Sequence, residues 1–396
     1  MAKTRAMIAG GVAAAVVVTA GIAVVAVGGL PSSHSASPAA PGAGSTPTTN
    51  SSAPAARTAT QIGTAFLADY VQQTGSEKGR VIRRDQGSDT VSEGQGYGLL
   101  IAAGTGDQKT FQSIWSWTKK HLQRPDGLMA WDWKGGKVID DQPASDADLD
   151  IARALVLGGQ KFDDAAYTTA GTTLAGHIAD DLTVQTPDGR VLLPGLWAKA
   201  SGGTAGPWSY DPSYASPATF EQLAKATKDP RWQQLLTGSR AVTAKILQST
   251  ALPSDWAQIK ADGSVVPLPN ATGTAGTVMY GYDAGRVALR YSESCAAPDV
   301  ALAAKIAPAL AGKNPLPMEL DLGGTPLNQD QSPLGYVARA AARASDGDST
   351  GATRDLASAD KLAQSTPTYY GSAWDALGAL QLETNSLGDC SPLKGH

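Results

Sequence analysis

Between residues 58 and 396 apolar side chains recur again and again at helical spacing, while the strict alternation of a half-buried strand is scarce. Ile62-Phe66-Leu67-Tyr70, Leu149-Ala152-Leu155-Val156 and Val300-Leu302-Ala303-Ile306 are clear cases. The pattern predicts roughly a dozen helices, near 60–74, 94–104, 108–122, 146–160, 164–181, 216–227, 232–248, 279–292, 299–311, 333–344, 353–363 and 370–384. Short β-prone pieces, Val191-Leu192-Leu193 and Val265-Val266-Pro267, sit between Gly and Pro turns. So many Ala-rich helices, joined by long loops bearing Trp and Asp, point to an all-α fold: a helical toroid whose loops build a site at one end. No short sequence period is visible, which argues against a repeat solenoid.

The N-terminus reads as targeting. Lys3 and Arg5 precede an uncharged, mostly apolar run from Met7 to Leu30, which as a helix would reach about 36 Å, enough to span a bilayer. Its exit, Gly28-Gly29-Leu30-Pro31, lacks the usual cleavage pattern, so residues 1–30 read equally as a signal peptide or a signal anchor. No cysteine closely follows, which excludes a lipid anchor there. Residues 31–57, rich in Pro, Ser, Ala, Thr and Gly, cannot bury enough apolar surface to fold and read as a flexible linker, leaving 58–396 as the working body. An extracellular location is therefore expected, either released or anchored to the cell membrane, with membrane contact only through residues 7–30. In an exported chain the two cysteines, Cys295 and Cys390, favour one disulfide.

Charge and residue counts exclude several chemistries. Lys plus Arg (32) nearly balances Asp plus Glu (36), so no basic excess is available for a phosphate backbone and nucleic acid is not an expected partner. The four histidines are His34, His121, His177 and His396, two of them near the termini. They cannot assemble a His-rich metal site, and no cofactor is expected. By contrast 9 Trp and 11 Tyr against 4 Phe favour flat rings with a polar edge, suited to a wet, ring-stacking surface.

Three loop-to-helix junctions carry acids. In Ser92-Glu93-Gly94-Gln95-Gly96-Tyr97-Gly98, Ser92 and Gln95 have capping-box spacing, which puts Glu93 in a first helical turn. A glutamate there favours the helix dipole, yet three glycines in five residues weaken a helix and signal close approach of a backbone or ligand. In Ala144-Ser145-Asp146-Ala147-Asp148-Leu149-Asp150 the alternating acids suggest calcium, but Ile151 and Leu157 stand where a calcium hand needs Gly and Glu. Asp148 and Asp150 suit a helix N-terminus, leaving Asp146 as the candidate site carboxylate. Tyr280-Gly281-Tyr282-Asp283-Ala284-Gly285-Arg286 would project aromatics, an acid and an arginine together, although an Asp–Arg pair at this spacing is also a common surface feature.

Acid-bearing junctions with many Trp and Tyr fit hydrolysis of a glycosidic bond by two carboxylates. The stretch Ala144-Ser145-Asp146-Ala147-Asp148-x-x-Ile151-Ala152-x-Ala154-Leu155-Val156, ending in Phe162, resembles the signature of glycoside hydrolase family 8, the endoglucanase, chitosanase and xylanase family with an (α/α)6 barrel. It departs at Gly158, where the family usually has Ala. Ser92–Gly98 is similar to the family's acid-bearing segment, Pro212-Ser213-Tyr214-x-x-Pro217 to its central tyrosine segment and Tyr282-Asp283-Ala284-x-Arg286 to its base-bearing segment. After the last the family commonly reads Pro-Trp-Arg, whereas this chain reads Ala288-Leu289-Arg290.

The resemblance implies Glu93 as general acid, Asp283 as general base and Asp146 as the central carboxylate orienting a distorted sugar, supported by Tyr214 and Arg286. Trp131, Trp133, Trp208, Tyr282, Tyr369 and Tyr370 fall where the family stacks sugar rings, with core packing as the alternative for each. The expected activity is an inverting endo-β-1,4-glucanase, a monomer acting on a β-linked polysaccharide. Chitosanase and xylanase remain alternatives, with Asp140, Asp141, Asp148 and Asp150 keeping the chitosan case open. So does a non-catalytic, surface-tethered glycan-binding protein, should the acids fail to converge. Asp321 is the replacement base if Asp283 lies far from Glu93.

Overall fold

The computed structural model describes residues 56–394. The apolar run at 7–30 and all but the last two residues of the linker lie outside the described residues. In chain order the helices are α1 (Ala59–Tyr70), α2 (Ser92–Thr105), α3 (Gln108–His121), α4 (Ser145–Lys161), α5 (Ala165–Asp181), α6 (Leu196–Gly202), α7 (Pro217–Thr227), α8 (Pro230–Ser249), α9 (Arg286–Ser292), α10 (Ala297–Ala304), α11 (Ala307–Leu310), α12 (Pro333–Ser345), α13 (Ser349–Ser365) and α14 (Tyr369–Glu383).

Six of these close a ring. Helix α2 packs on α4, α4 on α7, α7 on α9, α9 on α12, α12 on α14, and α14 returns to α2. Helices α1, α3, α5, α8, α10 and α13 back them from outside, which makes the (α/α)6 toroid expected from the resemblance. Small residues let the inner helices close: a Cβ on Gly378 of α14 would stand 2.5 Å from Cγ1 of Val337 on α12.

Every predicted helix segment is helical, with three departures. The segment at 279–292 turns helical only at Arg286, because residues 281–284 form a turn held by a side chain outside it, described below. The segment at 299–311 breaks into α10 and α11, where Pro308 opens the second piece and its missing N–H stops the first helix from running through. Helix α6, seven residues long, is too short to show a period.

The expected all-α body is corrected to a mostly helical one. Strands β1 (Thr90–Val91), β2 (Asp132–Lys134) and β3 (Lys137–Asp140) form one antiparallel sheet, β4 (Thr183–Thr186) and β5 (Gly189–Leu192) a hairpin, and β6 (Trp208–Tyr210), β7 (Trp256–Ile259) and β8 (Val265–Leu268) a third sheet. The strands are loops paired with each other, at two to four residues each too short for alternation to register. The body also begins earlier than expected: Arg57, assigned to the linker, donates to Asp360 (2.8 Å from Nε) and lies 3.8 Å from Asp375. Cys295 and Cys390 are joined, their Cα atoms 6.3 Å apart.

Candidate active site

The interior of the ring is charged. Asp146, Asp150 and Arg153 project from one face of α4, and Arg286, Arg290 and Glu293 meet them from the start, body and end of α9. The pairs are Arg286–Asp146 (2.8 Å), Arg290–Asp150 (2.7 and 2.6 Å) and Arg153–Glu293 (3.0 and 2.9 Å), all buried. Each joins residues 140 apart, so the two helices run in the same direction, linked by three ion pairs one above another. A buried charge is tolerable only when paired and hydrogen-bonded, and here every arginine is.

The topmost pair opens into the site. Arg286 is 1% exposed, and its Nη1 donates to Glu93 Oε1 (2.9 Å) as well as to Asp146, while Nη2 donates to Asp283 Oδ1 (2.8 Å) and lies 3.7 Å from Asp211 Oδ2. The Tyr97 hydroxyl donates to the same Glu93 oxygen (2.8 Å), and the Tyr214 ring lies under the guanidinium, 5.3 Å from its Cζ. Four acids therefore share one cation. Burial, then the charge of Glu93, and a hydrogen bond with Glu93 hold the Asp146 carboxyl well above the usual range. Burial and the charge of Asp283 do the same to Asp211, and burial raises Asp283 itself despite Arg286. Exposure separates these acids: the Glu93 and Asp283 side chains are 28% and 34% exposed, Asp146 only 2%. Two carboxyls reach solvent, and those of Asp146 and Asp211 lie beneath.

Local structure explains the placement. Strand β1 pairs with β2, and the Ser92 N–H donates to the Trp131 carbonyl (2.9 Å), so α2 begins at a strand end with Glu93 in its first turn. The expected capping box does not form. Val91 is the cap position, and Gln95 turns into the core to accept from Val81 N (2.6 Å) and donate to Thr118 (2.7 Å). Nor do the glycines make room for a ligand: Gly94 faces the Tyr369 hydroxyl, Gly96 faces α4, and Gly98 faces Val81 and Ile114. At α4 the cap is Ala144, and Asp148 and Asp150 are not exposed dipole partners: Asp148 accepts from Met129 N (2.9 Å) and Asp150 holds Arg290. These are inner helices, so their first turns meet side chains from other elements rather than water.

Glu93, Asp146, Tyr214, Asp283 and Arg286 come together as the resemblance implies. The aromatic set divides. Tyr282 and Tyr370 stay partly exposed beside Asp283, edge-on at 6.1 Å, with the Tyr370 hydroxyl donating to the Tyr282 carbonyl (3.0 Å), and Trp131 is partly exposed at the start of α2. Trp133, Trp208 and Tyr369 are buried and are corrected to core residues. Trp133 packs edge-on against Trp117 (5.2 Å), Trp208 donates its indole N–H to Gly203 O (3.1 Å), and Tyr369 packs on Tyr70 (5.9 Å). A ring with no free face cannot stack a sugar. Asp321 accepts from Gly323 and Thr325 within its own turn (2.9 and 2.7 Å).

Sequence reading missed Tyr97, Asp211 and Asp255. Tyr97 and Asp211 stand inside or beside segments quoted above, whereas no local signal marks Asp255. It also missed two partly exposed tryptophans, Trp197 and Trp256, 6.2 Å apart. The departures from the family pattern are absorbed by packing. A Cβ on Gly158 would stand 2.5 Å from the Phe111 ring, and behind Ala288-Leu289 the Arg290 guanidinium lies 5.4 Å from the Trp374 ring centre. Among the described residues no group of three His, Cys, Asp or Glu side chains is placed to hold a metal ion.

The profile of Glycosyl hydrolases family 8 matches residues 51–383. A probable endoglucanase of Novacetimonas hansenii is 32% identical over 280 residues, 69% of this chain and 78% of that one, and an endoglucanase of Cellulomonas uda is 27% identical over 193 residues, 48% of this chain and 53% of that one. Among solved structures, endo-β-1,4-glucanase CMCax of Acetobacter xylinum superposes with a TM-score of 0.65 at 26% identity, covering 82% of this chain and 97% of that one. With the profile spanning nearly all of the barrel, the chain belongs to glycoside hydrolase family 8 and is a glycoside hydrolase.

Proposed function

We propose that this chain is an exported endo-β-1,4-glucanase that inverts the anomeric centre, with Glu93 as general acid and Asp283 as general base. The observation that carries this reading is the sharing of Arg286: its two terminal nitrogens hold Glu93 and Asp283 on one fork, so two partly exposed carboxyls face the same space at a fixed separation. Hydrolysis with inversion needs an acid on the leaving oxygen and a base on the opposite face, roughly 6.5–9.5 Å apart so that a water fits between base and sugar. Asp146 supports from below by holding Arg286, and Tyr282, Tyr370 and Trp131 offer faces to sugar rings. The endoglucanase names of the relatives support β-1,4-glucan as substrate. Two of the four acids that kept chitosan open, Asp148 and Asp150, are buried and engaged. Export rests on the apolar run at 7–30, and fractionation of cells expressing the full chain tests it.

The decisive experiment is proton NMR of fresh product together with assays on carboxymethylcellulose, xylan and chitosan. Carboxymethylcellulose is expected to be the preferred substrate and the α-anomer to appear first; an initial β-anomer would overturn Asp283 as base. Glu93→Gln should lose activity on glucan yet retain it on substrates whose leaving group needs no proton, whereas Asp283→Asn should fail on both.

A further inference from the structure

Asp255 stands at the foot of β7, and its own N–H donates to the Met279 carbonyl (2.9 Å), tying the strand to the segment that leads to Asp283. Its Oδ1 accepts from the N–H of Gly281 and the N–H of Ala284, both at 2.8 Å. Those donors bracket Tyr282 and Asp283, so one oxygen fixes both ends of the turn that presents the Asp283 carboxyl. Arg286 then holds that carboxyl from the other side. The approach requires glycine at 281, since a Cβ there would stand 2.6 Å from Asp255 Oδ2.

The charged and titratable groups that face Asp255 are Asp283 on the turn, Arg286 at the start of α9 and the Tyr280 hydroxyl. Burial, then the charge of Asp283, holds Asp255 up at about 7, against the opposing pull of Arg286 and the two N–H donors. The charge of Asp283 is thus in place before Asp255 ionises, and Asp255 keeps its proton until the pH nears 7.

We infer that Asp255 is the positioning residue of the general base, fixing the turn that presents the Asp283 carboxyl. The inference rests on the reading of Asp283 as base. It assigns Asp255 no contact with substrate, because its hydrogen bonds are to the turn.

Asp255→Asn keeps an acceptor oxygen for both N–H groups but removes the charge, and Asp255→Ala removes both. Both are compared with wild type and Asp283→Asn on carboxymethylcellulose, with circular dichroism as a check on folding. Asp255→Ala should lower kcat by about 10- to 100-fold with KM within about threefold, the size expected for a misplaced reacting group. Asp255→Asn should keep kcat within about threefold of wild type at the optimum and remove the change in the kcat profile near pH 7, where Asp255 itself ionises. The loss of that inflection decides the matter even if the alanine variant does not fold, since a carboxyl that only held the fold would not show its own ionisation in kcat. A kcat profile of Asp255→Asn that keeps the wild-type inflection near pH 7, with Asp283→Asn inactive, overturns the role of Asp255 alone. An active Asp283→Asn overturns the assignment of the base, and this inference with it.

Discussion

At the scale of single residues the site is an exercise in charge counting. Arg286 supplies one positive charge to Glu93, Asp146, Asp211 and Asp283, and burial raises the pKa of all three aspartates. Asp283 is expected to give an acidic limb in kcat/KM above the ordinary aspartate range near pH 4, because a base must be ionised to act and burial raises its pKa. A pH–rate profile with a limb at or below 4 would contradict this. Asp146 was expected to grip the sugar, but its 2% exposure makes it a partner of Arg286 and Glu93 first. Asp146→Asn should therefore cut kcat by about 100-fold, the scale of a misplaced reacting group, while binding of cello-oligosaccharide measured by calorimetry stays near wild type.

At the scale of elements, the inner helices fit through small residues and in-register charges. Gly158 on α4 illustrates the first. Alanine is the better helix former by about 1 kcal/mol, yet a methyl group there would press on Phe111, itself packed edge-on against Phe162 (5.3 Å) and Tyr167 (5.0 Å). Overpacking of this kind costs about 1–3 kcal/mol. Gly158→Ala should consequently lower Tm by a few degrees, and pairing it with Phe111→Leu should restore part of the loss in thermal denaturation. The charges follow the same logic at longer range: Asp146, Asp150 and Arg153 recur at helical spacing, as do Arg286, Arg290 and Glu293, so matched signs fall opposite one another once the helices align.

At the scale of the whole molecule, the ring is closed where its two ends meet. The Cys295–Cys390 link spans a sequence separation of 95, for which the loop-entropy argument allows at most about 4–5 kcal/mol. Arg153 and Gln222 also hold the tail through the Leu387 carbonyl, each at 2.9 Å. The double variant Cys295→Ser with Cys390→Ser should accordingly unfold at lower denaturant but still fold, with hydrogen exchange rising first after residue 387. At the other end Arg57 meets Asp360 and Asp375. Burial and the charge of Asp360 lift Asp375 to about 8 against the pull of Arg57, whereas an unfolded aspartate titrates near 3.9. The raised group favours the fold fully below pH 4, and that contribution is lost as pH rises through about 8. Urea midpoints should fall between pH 5 and 8, and Asp375→Asn should flatten that dependence; an unchanged slope would refute it.

Apolar period and turn chemistry are local properties, so they were legible: the helix segments, the small β pieces and the motifs around Glu93, Asp146 and Asp283 could all be read from residues a few positions apart. The capping box expected at Ser92 and the helix-end roles expected for Asp148 and Asp150 fail because spacing cannot tell a helix end in water from one inside a ring. The same limit sent Trp133, Trp208 and Tyr369 to the sugar and overlooked Trp197 and Trp256, since a tryptophan's free face depends on what packs against it. Asp255 stands 26 residues from Gly281 and 29 from Ala284, and only the folded chain brings its carboxylate to the turn that carries Asp283. The sequence by itself determined which segments are helical and which acid-bearing segments meet at the site. Tertiary structure decided which side chains stay wet, because burial and the sharing of one guanidinium depend on distances that no local pattern carries.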